Sequence, residues 1–243
     1  MGNGLVLAAI WRNPSFRTPS YILFAGLAII DFCTGLITQP LYITNELISL
    51  LEPSKDYSMT FAIGFLCFEY FGNLSILSVT VMSTERWPHM ARQSLVNVHR
   101  ARVILAVLLL VPIPLVVHRL TSGFSFSYKN YVANFSLFLV CFTVTSTAYF
   151  KVFRIICRQQ QQIHSYESSL NFATPAINLE EYKKSVFSIL CITIIFYVSY
   201  FPFLIHLGLL VFHLRNDGFI KLSFNMIAVL IFLSSSLNPL LYL

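Results

Sequence analysis

The sequence predicts an all-α membrane protein, a bundle of seven transmembrane helices, and three observations lead there. Hydrophobic residues make up 56% of the chain against 11% charged, with a mean hydropathy of +0.72, outside the range of soluble domains. Apolar windows lie near residues 18–45, 59–84, 103–117, 130–150, 185–212 and 222–243. A helix needs roughly 20 apolar residues to cross a hydrocarbon core. Runs this uniform and long do not alternate as barrel strands do, so helices are the spanning solution that satisfies the backbone. Finally, Lys and Arg gather on alternate connections, as they do around membrane spans.

The helices are expected at roughly 1–12, 18–45, 57–87, 99–119, 130–160, 180–213 and 218–243. The first is apolar but too short to cross, and reads as a helix truncated at its extracellular half. The second is uncharged except for Asp31 until Glu46 closes it. The third ends at Glu85 and Arg86. The fourth is short in its apolar part and extends through His118. The fifth runs toward a glutamine tract at 159–162 that opens the longest polar connection. The sixth and seventh carry Pro202 and Pro239 in their interiors, where proline removes a backbone bond and kinks a helix. We read 1–243 as one domain without repeats. The sequence ends one residue after Tyr242, and the reading expects a seven-helix domain without a cytoplasmic tail.

Positive charge sets the orientation. With the connection at 12–17 placed inside, that side collects 11 of the 16 Lys and Arg residues. The amino-terminus is then outside and the carboxyl-terminus inside, as in a multi-pass plasma-membrane protein. The net charge of +6 belongs to this cytoplasmic fringe and needs no nucleic-acid partner.

Asp31 is the sharpest single residue. A charge at that depth costs on the order of 2.5–3.5 kcal/mol, so it persists only against protein, water or a cation. Asn3, Ser75, Ser234, Ser235 and Asn238 are polar residues expected at similar depth on other helices. They read either as donors around a hydrated sodium ion or as plain interhelical hydrogen bonds.

Several motifs recur in helix order: Gly2-Asn3, then Leu27-Ala28-Ile29-Ile30-Asp31, then Glu85-Arg86-Trp87. Phe196 with Ser199-Tyr200-Phe201-Pro202, and Asn238-Pro239-Leu240-Leu241-Tyr242, complete the series. In this order the chain resembles a rhodopsin-like (class A) G protein-coupled receptor along its whole length. The resemblance implies an extracellular ligand bound between the helices and a heterotrimeric G protein activated as helix six opens. It implies an activation switch built from Glu85, Arg86, Ile76, Phe196, Tyr200, Pro202, Asn238, Pro239, Tyr242 and Tyr149. It also implies an allosteric sodium ion held by Asp31, Ser75, Ser234, Ser235 and Asn238, and no other cofactor.

The ligand pocket is expected among Phe68, Glu69, Gly72, Phe135, Phe138, Tyr200, Phe203, His206 and Phe232, an aromatic cavity with few polar anchors. Glu69 serves either as counter-ion to a cationic ligand or as a side chain that snorkels or bonds a backbone group. Departures from the family narrow the reading. Phe68 stands where amine receptors keep an aspartate, and Phe232 where opsins keep the retinal lysine. The helix-three cysteine is replaced by Phe61. All five cysteines (Cys33, Cys67, Cys141, Cys157 and Cys191) fall in or beside helices, so no extracellular disulfide is expected. Lacking this disulfide and the helix-five proline (Cys141) resembles the melanocortin, lysolipid and cannabinoid branch. The Glu-Arg-Trp ending resembles the glycoprotein-hormone receptors.

No enzyme is expected. The six histidines lack metal-ligand spacing, and neither a phosphate-cradling glycine loop nor a nucleophile elbow occurs. A non-signalling scaffold or decoy of the same shape is the alternative, kept open by Tyr200 and Trp87. An ion-translocating protein using Asp31 is a weaker one, because intramembrane charges are few and no repeat is visible.

Overall fold

The computed structural model describes residues 2–13, 18–51, 59–90, 96–122, 128–169, 179–212 and 217–238. Among these residues the chain is helical with no strand. The helices are α1 (Gly2–Arg12), α2 (Pro19–Cys33), α3 (Gln39–Leu51), α4 (Met59–Met90), α5 (Val98–Leu110), α6 (Ile113–Thr121), α7 (Tyr128–Ser169), α8 (Leu179–Val211) and α9 (Asp217–Leu237). A π-helical turn, Thr34–Thr38, joins α2 to α3 into one rod. Five stretches of the described residues are long and apolar enough to cross a membrane: Pro19–Leu51, Met59–Arg86, Val98–Thr121, Tyr128–Ile155 and Ile194–Val211. Leu222–Leu237 is a shorter apolar helix, and α1 has 11 residues.

Local sequence explains the breaks. α2 starts with Pro19 at its first position after an extended Thr18, where a missing N–H costs nothing. The π turn ends two residues ahead of Pro40, and the Thr34 hydroxyl donates to the Ile30 carbonyl at 2.9 Å. A proline clashes with the preceding turn and a wider turn relieves it. One extra residue rotates everything beyond it by about 100° around the axis. The sequence reading expected one uninterrupted helix near 99–119; the structure divides it at Val111-Pro112 into α5 and α6. Pro112 cannot donate, so Val111 N–H donates three residues back, to Leu108 O at 3.3 Å. Nearby, the Leu109 carbonyl accepts the Tyr70 hydroxyl of α4 at 3.1 Å. At its other end α5 is capped by Asn97, whose side chain accepts from Arg100 N–H at 2.8 Å.

Packing places the site. One core cluster joins Leu23, Leu27, Ile76, Phe138, Phe196 and Tyr200, drawing α2, α4, α7 and α8 together. A second joins Phe68 to Ile227, Ala228 and Ile231, which seats α9 on α4. The outward faces carry exposed Leu36, Leu47, Leu110, Val140, Phe150 and Leu233, the apolar surface that a lipid bilayer covers.

Candidate functional site

Polar residues near the middle of the bundle meet across helices. Asp31 is buried, and its two carboxylate oxygens accept from Ser235 Oγ at 2.5 Å and Asn238 Nδ2 at 2.6 Å. Asn3 of α1 donates to the Ser235 carbonyl at 3.0 Å. Residues separated by more than 200 positions thus form one network of α1, α2 and α9. Unpaired polar groups in an apolar core are costly, and this network satisfies them. Its oxygens are the hard donors that sodium takes, with one difference from the sequence reading. Ser75 turns to α8, where its hydroxyl lies 2.9 Å from Tyr200 Oη, both residues buried.

Tyr200 is the hub of the lower core. Its ring lies 5.2 Å from that of Phe196 and 6.4 Å from that of Phe138. Phe196 and Ile76 share its cluster, as the sequence reading placed them. Below Tyr200 a narrow cleft of about 20 Å³ is lined by Arg86, Tyr149, Phe196, Tyr200, Ser234 and Asn238. That is room for about one water molecule. The structure therefore brings together most of the expected switch. Glu85 is buried and accepts from Ser20 Oγ of α2 at 2.9 Å. Pro202 lies inside α8. Pro239 and Tyr242 lie outside the described residues, as does the side chain of Trp87.

At the opposite end, the Glu69 end, the expected pocket residues form a packed aromatic array. Phe68 meets Phe203 at 6.3 Å and Phe232 at 6.0 Å, largely edge to face. Phe138 meets Phe203 at 4.7 Å. Phe135 packs on Phe212 at 6.4 Å, and His206 Nδ1 lies 3.0 Å from Ser223 Oγ. A side chain at Gly72 would meet nothing within 4 Å, so that position borders open space.

Glu69 is paired with side chains of two other helices. Arg119 of α6 donates to one oxygen at 3.4 Å, and Asn134 of α7 donates to the other at 2.8 Å. Asn73 then donates to Asn134 Oδ1 at 3.1 Å. The Arg119 guanidinium lies over Phe65 at 4.9 Å and near Tyr131 at 5.7 Å. The sequence reading ended a helix at residue 119 and gave Arg119 no role in the site; a lone arginine closing an apolar helix was the available signal.

A second polar group also went unread. Tyr42 Oη donates to Asn225 Oδ1 at 2.9 Å, and Asn225 Nδ2 donates to Glu46 at 3.3 Å. The π turn aims Tyr42 and Glu46 at α9, and the sequence carried no sign of that rotation. The cysteines are free thiols.

The family model described as "7 transmembrane receptor (rhodopsin family)" matches residues 2–242. The chain is also similar to human neuromedin-U receptor 1, 32% identical over 117 residues, which is 44% of this chain and 26% of that receptor. The matched part thus spans about a quarter of that relative's length.

Proposed function

The chain belongs to the rhodopsin family of seven-transmembrane receptors, and from that premise we propose that it is a plasma-membrane receptor activating a heterotrimeric G protein. Its ligand enters from the extracellular side at the Glu69 end, and the G protein docks at the Arg86 end. The amino-terminus lies outside and the carboxyl-terminus in the cytoplasm, following the positive charge. The protein performs no chemistry of its own. Ligand binding shifts an equilibrium between a closed and an open bundle by its differential affinity for the two.

One observation carries this reading: the cleft beneath Tyr200 joins Arg86 of α4, Tyr149 of α7 and Asn238 just past α9. A small space, walled by Val79, Met82, Ile195 and Phe196 as well as by these polar groups, inside an otherwise close-packed bundle lets α8 move without opening a large void. Pro202 supplies the hinge, since it removes a helix bond above that cleft. Arg86, freed as α8 swings out, presents a planar charged fork to the G protein. In the closed form a sodium ion, where present, would be held by Asp31, Ser234, Ser235 and the Asn238 amide oxygen. It would supply charge compensation for the buried carboxylate.

The test is nucleotide exchange on a panel of G proteins, with Arg86→Ala as control. Exchange that vanishes in the control supports coupling; exchange unaffected by the substitution overturns the role given to Arg86. Neuromedin-U, named in the similar receptor, is the first agonist to try. A second reading, a receptor-shaped protein that does not signal, is favoured by the Ser75–Tyr200 bond, which ties α8 to α4. Exchange above background from any G protein removes it.

A further inference from the structure

Two carboxylates with described side chains stand at the Glu69 end, and their surroundings differ. Glu69 is buried with both oxygens filled, one by Arg119 and one by Asn134. Arg119 is itself buried against Phe65 and Tyr131. The pair is neutral as a unit, and breaking it would strand a charge in an apolar interior. Glu69 is therefore a poor anchor for a ligand, despite being the acid that the sequence singled out.

Glu46 is in the opposite situation. It is half-buried on α3, and its contact is the Asn225 amide at 3.3 Å, a long hydrogen bond from a neutral donor. No cation faces it among the described residues. Tyr42, one turn earlier, holds the other end of that amide at 2.9 Å, so the NH2 group is aimed at Glu46 and the carboxylate is held in place. Tyr42 stands edge-on to Phe232 at 5.4 Å, and Phe232 and Phe224 meet Phe68 at 6.0 and 5.4 Å. A positioned carboxylate above aromatic rings attracts a cation twice, by direct pairing and through the ring quadrupoles.

Resting on the receptor reading above, we infer that the ligand carries a cationic group that binds at Glu46 beside Tyr42. Its aromatic or apolar body lies along Phe68, Phe224 and Phe232. A guanidinium suits the carboxylate best because it can give two parallel hydrogen bonds. Arg119 keeps Glu69 out of this recognition, so among the described acids at this end Glu46 defines where the charge sits.

The test uses the purified chain and thermal melting, with benzylguanidinium as probe. Benzylurea, its neutral isostere, and phenylacetate are the comparisons. Benzylguanidinium is expected to raise the melting temperature in a saturable way, and benzylurea is not. Glu46→Gln keeps an oxygen for Asn225, so it should melt like the parent without probe. It should bind benzylguanidinium about tenfold more weakly or worse, the scale of a lost hydrogen bond to a charged group. Glu46→Lys should transfer the response to phenylacetate. The inference is overturned by an equal shift from benzylurea, by an undiminished response in Glu46→Gln, or by no shift in the parent chain. The readout involves no G protein, so failure of coupling and failure of this site are separately visible.

Discussion

Tyr200 of α8 and Ser75 of α4 share a buried hydrogen bond of 2.9 Å between their hydroxyls. The contact ties the helix expected to move to the helix that carries Arg86. It also turns Ser75 away from Asp31, which finds Ser235 and Asn238 instead. One hydroxyl thus ties the hinge helix to α4 and leaves the acidic network to α1, α2 and the end of α9.

Tyr200→Phe should therefore loosen α8 while keeping the ring packed on Phe196 and Phe138. An interhelical hydrogen bond in a membrane averages about 0.6 kcal/mol, so folding should survive. Basal nucleotide exchange is expected to rise, and melting in sodium chloride should exceed melting in choline chloride by more than in the parent chain. Equal salt responses in the two proteins would show that Ser75 is not withheld from Asp31 by Tyr200.

Asp31→Ala should cost more than Asp31→Asn. Alanine leaves Ser235 and Asn238 without an acceptor, about 1–3 kcal/mol for each stranded group. Asparagine keeps one acceptor and removes the buried charge, so part of the loss is offset. Thermal melting of the two variants should rank them in that order, and a reversed ranking would mean the carboxylate is not satisfied through these contacts.

Arg119→Ala is expected to destabilise strongly, by about 3–5 kcal/mol, because Glu69 is left charged and buried. The double variant Arg119→Met with Glu69→Gln should recover most of that loss, since the stranded charge is gone and Asn134 still has an acceptor. A double variant no better than Arg119→Ala would show that the aromatic packing of Arg119, not the pair, is what matters.

The two glycosylation sequons, Asn73-Leu74-Ser75 and Asn134-Phe135-Ser136, should stay unmodified. Both asparagines are buried and hydrogen-bonded to each other at 3.1 Å. Glycosidase treatment of the chain should leave its mass unchanged; a loss of glycan mass assigned to either asparagine would contradict their burial.

Much of the fold was legible because membrane helices are announced by composition. The depth of Asp31 follows from counting along apolar runs, and the switch residues around Tyr200 were implied by the family resemblance. The break at Val111-Pro112 was not read, because two nearby prolines are compatible with a kink as well as an interruption. The π turn at Thr34–Thr38 left no mark beyond Pro40. Its extra residue changes which side chains face α9, so Tyr42 and Glu46 were invisible as a pair.

Charge number and position along the chain were the sequence's to determine: an isolated Asp31, an arginine closing a helix, acids at Glu46 and Glu69. Pairing was decided only by the tertiary structure, because a hydrogen bond depends on helix rotation and approach over a few ångströms, and linear spacing does not encode these. Glu69 is closed by Arg119 of another helix, and Glu46 keeps a neutral partner. That difference is set by packing.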